Sequence, residues 1–396
     1  MKLAAAAVLV AAALVLPAAQ AAERKTASPV LGLDFGHAGS VLAWVDPFTL
    51  AKLQRPQVSL GGSAGSWSFS PDRSTLAIGA AETTGASVRA EFKLRFVSVG
   101  EMRVIDELDL GEPQFEDVTW LRPDRLLALV RADSPRIVVV DPSRRVVLRS
   151  VSLPRTAGPV ARLPDGLALL LGSDGPFAPA ELAVVDADGA LRSVTLDRIS
   201  VGTVGHEERV PGFAVDRARG RAFVVGTDLT VAEVNLDTLA VKYHGGRTRA
   251  LAKAPAGAVR QALWLGHGLL VVSGDDRSWA TTATQPVGLR LMDTRNWRTR
   301  IADRWIDHIE RVPGNSIFLA SSASAAPWRI DVYGLRGKRR YRLDLNGSQL
   351  WMQGPYGYVC ESSTVIRIVS ASGGRTLRVP ASPRPACPYL LYGQSL

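Results

Sequence analysis

Four segments concentrate side chains able to hold a polar molecule. Residues 202–211 carry His206, Glu207, Glu208 and Arg209, and residues 274–287 carry Asp275, Asp276, Arg277 and Trp279. Residues 303–310 carry Arg304, Trp305, Asp307, His308 and Glu310, and residues 243–257 carry His244, Arg247 and Arg249. Carboxylate, imidazole, guanidinium and indole groups together can orient a polar ligand. The same residue types also populate solvated loops, where they pair with one another. The adjacent pairs His206-Glu207 and Asp275-Asp276 could each donate metal ligands, but neighbours in sequence rarely complete a site. Neither a DxDxDG loop nor an HExxH helix occurs. No GxSxG nucleophile elbow is present. The reading is therefore a ligand-binding set of His206, Glu207, Arg209, Asp275, Asp276, Arg277, Trp279, Trp305 and His308, with no catalytic residue, metal or cofactor assigned.

Something must position these segments, and one pattern recurs between them. A short apolar-polar strand leads through a Pro/Asp/Gly turn into a strongly apolar strand; a variable loop follows, then a strand ending near Asp and a tight turn into a fourth. The first half reads SWSFSPDRSTLAIGA from Ser66, DVTWLRPDRLLALV from Asp117 and PVARLPDGLALLLG from Pro159. The second half reads VLAWVDPFTLAKL from Val41 and RIVVVDPSRRVVLRSVSL from Arg136. Alternating β-branched and apolar residues make strands, and these turn sequences are hairpin chemistry. From Ser98 to Ser370, equivalent positions in the repeat, six steps span 272 residues. Each step is thus about 45 residues, the period of a four-stranded propeller blade.

With its SPDR, RPDR and LPDG turns and its VVD hairpins, the chain resembles the WD40-like and YVTN-like β-propeller superfamily of secreted bacterial proteins. The resemblance covers nearly all of the chain after its leader and implies an all-β fold of seven or eight blades, with eight favoured. The first repeat lacks its innermost strand, and the tail Pro388-Tyr389-Leu390-Leu391-Tyr392 can supply it. It also implies that blade-to-blade connections lie on the ligand face and the short hairpin turns on the other. Two functions follow. One is a non-catalytic binding propeller. The other is a lactone hydrolase or lyase acting on a small polar ligand through His206, His308 and Glu310. Trp67 and Trp120 fall at equivalent strand positions and read as packing, whereas Trp279, Trp305 and Trp328 fall in loops.

The ends and the composition set the setting. Met1-Lys2, an apolar run to Leu16, Pro17 and Ala19-Gln20-Ala21 form a signal peptide over residues 1–21. A short linker over 22–29 and one propeller domain over 30–396 follow. Export to the extracellular space or cell envelope, periplasmic in a Gram-negative cell, fits these signals, and no later run is long enough to span a bilayer. The net charge is +10, and only 7 of the 47 basic residues are lysine. Export argues against nucleic acid. The expected partners are a protein or small polar ligand on the loop face and anionic envelope polymer or lipid headgroups on a basic turn face. The turns there carry Arg73, Arg122, Arg125, Arg217, Arg219, Arg221, Arg144, Arg145, Arg295, Arg298, Lys338, Arg339 and Arg340. The two cysteines, Cys360 and Cys387, are expected to form one disulfide.

Two outcomes test this reading. The exported chain is expected to begin at Ala22 by N-terminal sequencing, and a start at Met1 contradicts the leader. Intact mass without reductant is expected to fall two mass units short of the reduced chain, marking the Cys360–Cys387 bond.

Overall fold

The computed structural model describes residues 29–36, 39–47, 49–61, 63–83, 90–110, 115–130, 134–155, 157–172, 175–205, 207–245, 257–278, 283–312, 316–322, 329–344, 349–351, 357–362, 365–371, 373–378 and 389–391. The expected leader, His206, Trp279, Trp328 and Cys387 lie outside them, and with Cys387 the expected disulfide. Among the described residues no helix is long and apolar enough to cross a membrane.

The chain is an all-β propeller. Five four-stranded antiparallel sheets take four consecutive strands each, over 63–109, 115–152, 212–244, 308–344 and 349–378. A sixth sheet joins the two chain ends: Tyr389–Leu391 pairs antiparallel with Val30–Gly36, at Leu33↔Tyr389 and Leu31↔Leu391. The remaining ten strands, from Ala157–Leu163 to Arg298–Asp303, form one continuous sheet. This corrects the expected seven or eight separate blades, since only five stand alone as blades of consecutive strands. The physical reason is a strand that the repeat does not contain. Glu207–Val210 pairs antiparallel with Gly202–Val204 and parallel with Ala258–Val259, so it bridges two repeats.

Middle strands read as unbroken apolar runs because both faces of each sheet are covered. Gly166–Leu171 is buried along its whole length, whereas the outer strand Val146–Ser152 is exposed at every residue but Val151. Successive residues serve opposite cores. Leu126 and Ala128 pack toward the preceding sheet with Leu94 and Phe96, while Leu127 and Leu129 pack toward the next with Leu167 and Leu169. Phe223, Val225 and Val231 likewise meet Leu270, Val272 and Met292.

Five hairpins share one turn. The amides of Leu50, Met102, Arg145, Leu239 and Trp297 donate to the carbonyls of Asp46, Ser98, Asp141, Asn235 and Asp293, four residues back, at 2.6–2.8 Å. Each donor residue is left-handed, with φ between 50 and 59°. Such a conformation is costly for residues other than Gly. In four of the five the leading Asp or Asn offsets the cost by accepting turn amides, as Asp141 does from Ser143 at 2.9 Å and Arg144 at 3.0 Å, and Ser98 Oγ accepts the Glu101 amide at 3.3 Å in the fifth. Met102, Leu239 and Trp297 then fold their side chains into the inter-sheet cores.

Phe223, fully buried, is expected to be central to stability. In equilibrium urea unfolding, Phe223→Ala is expected to lose about 3–5 kcal/mol. Val147→Ala, on the exposed outer strand, is expected to change stability by less than about 0.5 kcal/mol. Equal losses at both positions would contradict the two-faced packing.

Candidate functional site

Two of the segments, 202–211 and 274–287, are in their described residues largely strand extensions. Leu269–Ser278 continues past its sheet through Gly274, whose φ is +139° and where a Cβ would meet the Val259 carbonyl oxygen at 2.0 Å. Only glycine accepts that approach. Beyond the bend, Asp275, Asp276 and Arg277 pair opposite Val259, Ala258 and Gly257 on one side and Pro286, Gln285 and Thr284 on the other. Ala258 also lies opposite Arg209. Glu207, Glu208 and Arg209 therefore share one small sheet with Asp275, Asp276 and Arg277, although about 65 residues of chain separate them.

The charges in this sheet are tied to one another. Arg277 donates through Nε to Asp275 Oδ1 at 3.0 Å and pairs with Glu208 Oε2 at 3.5 Å. Arg209 lays its guanidinium 4.0 Å from the centre of the Phe177 ring and donates to Ser200 Oγ at 3.3 Å. Asp276 receives Arg260, whose side chain is 2% exposed. Arg260 also donates to the carbonyls of Asp275 at 2.7 Å and Val259 at 3.1 Å, and to that of Thr227. It is the anchor of the site, and the sequence reading passed it over. The only trace is a long cation in the apolar alternation VRQALW. Nearby, burial pulls Arg290 below the usual guanidinium range, Arg260 adds to the effect, and Asp276 opposes it.

Trp305 and His308 stand on the neighbouring connection. Trp305 is 58% exposed, its amide donating to Asp303 Oδ1 at 2.9 Å. His308 shares a hydrogen bond with Gln261 Nε2 through Nδ1 at 2.8 Å, and its Nε2 lies 3.7 Å from Glu310 Oε2. Gln261 is on the strand that also carries Ala258 and Arg260, so this strand links both groups. Asp303 is held by Arg329 Nη2 at 2.7 Å to both oxygens. His206 and Trp279 lie outside the described residues, so the proposed His206–His308–Glu310 grouping is represented by its second and third members alone.

His244, read as a ligand-face residue, instead closes an inter-sheet core. Its ring stacks 3.8 Å from Trp297 at 13°, and Nε2 sits 2.9 Å from Glu233 Oε2. Arg221 joins the same carboxylate at 2.5 Å and Asp216 at 2.9 Å. Separately, a cavity of about 350 Å³ opens on the turn face between the second and third repeats, bordered by Asp72, Phe96, Trp120, Ser143 and Arg145. Nothing in the residue types marked it.

No protein-family model matches the chain, and no characterised protein matches it in sequence. Solved structures do resemble it in shape. One is dihydro-heme d1 dehydrogenase NirN in complex with DHE, at 10% identity and TM-score 0.56, covering 89% of this chain and 73% of that one. Another is the C-terminal WD40 domain of Sif2, at 12% identity and TM-score 0.51, covering 89% and 93%. At such identity the likeness shows the propeller fold alone.

Burial holds His244 below its ordinary value of 6.5, against the opposing pull of Glu233 and with help from Lys242. A depressed histidine stabilises the fold above its unfolded value, and the contribution is lost as pH falls through the folded one. Thermal melts are therefore expected to drop more steeply below pH 6.5 for the wild type than for His244→Gln. Parallel curves would contradict the buried neutral imidazole.

Proposed function

We propose that this chain is an exported, non-catalytic binding propeller whose strand-extended face engages a partner. The observation that carries the reading is the small sheet of Glu207–Val210, Gly257–Trp264 and Leu269–Ser278. Its carboxylates Glu208, Asp275 and Asp276 are engaged with guanidiniums, which fits a rigid display surface better than a set of groups waiting to move protons. Around it, Val204 at 46% and Trp305 at 58% exposure leave apolar surface beside the exposed Arg277–Glu208 pair. Exposed indole and aliphatic groups rimmed by charge are a common composition of protein-binding surfaces. The leader supports export. On the turn face, Arg219, Arg298 and Lys338 are exposed and, among the described residues, have no carboxylate partner, which supports a second, electrostatic contact with anionic envelope polymer or lipid headgroups.

Cross-linking of the exported chain in its host is expected to trap a stoichiometric protein partner. Trp305→Asp and Arg277→Glu, both at exposed positions, are expected to cut the yield at least about tenfold, the scale of a contact worth 1–3 kcal/mol, while leaving the thermal midpoint unchanged. Turnover of a lactone panel that falls in His308→Ala or Glu310→Gln would overturn the non-catalytic reading.

A further inference from the structure

The first strands of neighbouring sheets lie against one another, so their ends converge on the propeller axis. Three of them end in arginine on the turn side. Arg162 is the penultimate residue of Ala157–Leu163, Arg217 directly follows Gly212–Asp216, and Arg311 ends His308–Arg311. They come from three different repeats. Among the described residues none of the three has a carboxylate at ion-pair distance, and the hydrogen bond recorded for the set is a long one, from Arg311 Nη1 to the Trp264 carbonyl at 3.5 Å. Arg162 Nε is buried and has no hydrogen-bond partner, as is also true of Nε in Arg122, Arg209, Arg221, Arg260 and Arg329. Carboxylates make the difference: Arg122, at the corresponding strand end of another repeat, has Asp165 at 3.4 Å and Asp188 at 3.7 Å.

We propose that the turn-side end of the axis is an oxyanion site, in which Arg162, Arg217 and Arg311 together hold a phosphate group on a small soluble ligand. Three guanidiniums from separate strands can surround such a group, and their planar donors match its oxygens. The mutual influence of the three agrees with this geometry. Partial desolvation lowers the pKa of Arg162 and of Arg217, Arg217 lowers Arg162 further, and Arg311 lowers Arg217 further, while Arg217 and Arg311 remain exposed to solvent and so open to a soluble anion. Asp117 is the one acid that works against this at Arg162, and burial raises the pKa of Asp117 itself. Like charges gathered without a counter-charge are relieved by a bound anion. The buried Nε of Arg162 selects a free solute over a membrane headgroup, because a flat bilayer surface does not reach a buried atom at the axis.

The test uses the full mature chain and inorganic phosphate. With ionic strength matched by sodium chloride, phosphate is expected to raise the thermal midpoint and to give a saturable calorimetric isotherm. Arg162→Gln, Arg217→Gln and Arg311→Gln are each expected to weaken phosphate at least tenfold. Each is also expected to raise the midpoint without phosphate, because a repelling charge has gone. That second effect separates loss of the site from loss of the fold. Arg149→Gln, on the exposed outer strand Val146–Ser152, is expected to bind as wild type. A midpoint indifferent to phosphate over matched chloride, or a loss in Arg149→Gln as large as at the axis, overturns the site. Co-sedimentation with phosphatidylglycerol vesicles is expected to be the same for wild type and the Arg162→Gln/Arg217→Gln pair; a selective loss there overturns the soluble ligand.

Discussion

Every repeat has an innermost strand with one edge paired to its own sheet and the other turned toward the next repeat. An amide left unpaired there costs about 1–3 kcal/mol, and several such edges crowd one axis. The fold settles this with side chains. Ser66 Oγ accepts the Val118 amide at 2.8 Å, and Ser68 Oγ accepts that of Trp120 at 2.9 Å. Ser40 Oγ accepts the Ala64 amide at 2.9 Å, and Gln261 Oε1 accepts that of Ile309 at 2.8 Å. The Ser66, Ser68 and Gln261 bonds cross from one first strand to the first strand of a neighbouring repeat, while Ser40 reaches over from Gly39–Val45, the third strand of the closing sheet. Small hydroxyls suit this duty because they allow close approach and still accept. The same crowding explains why buried Ser and Thr occur in strands otherwise chosen for hydrophobicity.

Given that inner stitching, the rest of the sheet stacking follows. A sheet covered on both faces needs apolar residues at consecutive positions in its middle strands, and LLALV at 126–130 serves two cores at once. Toward the rim the demand relaxes. The outer strands carry charge, as in RTRIAD over Arg298–Asp303 and RRYRLD over Arg339–Asp344. Their ion pairs are anchored inward: Asp331, fully buried, receives Arg342 at 2.8 Å and 3.2 Å. Charge thus enters the structure where a partner is fixed by strand register, which is why so Arg-rich a chain packs without stranding most of its cations.

Architecture was legible from the residues because it rests on short-range rules. The Asp46, Asp141 and Asp293 turns were visible as the end of a strand followed by hairpin chemistry, and each forms the same left-handed turn. The closing strand was visible too, because a first repeat short of one strand needs an edge to pair, and Tyr389–Leu391 provides it. What was not legible depends on long-range register. Glu207–Val210 carries three charged or polar-facing residues and no alternation long enough to announce a strand; its pairing with Ala258–Val259 exists because another repeat is already in place. The single sheet of ten strands follows from that one contact. Gly274 was equally silent: its role depends on the Val259 carbonyl oxygen across the strand pair.

The site shows the same division between local and distant causes. Asp275, Asp276 and Arg277 were recognisable as a charged group, but their partners were not, because Arg260 and Glu208 are distant in sequence. His244 was grouped with them from its place after a strand, yet its neighbour Trp297 comes from a different repeat's turn and draws it into a core. Trp297 sits there because its left-handed turn, capped by Asp293, turns the side chain back over the inter-sheet seam. One capped turn therefore decides that a histidine is structural rather than available to a ligand. Residue type marks which groups can do chemistry in such a fold; the register between repeats decides which of them face solvent, and in this propeller the strand extensions past Gly274 carry that decision for the acidic and basic groups alike.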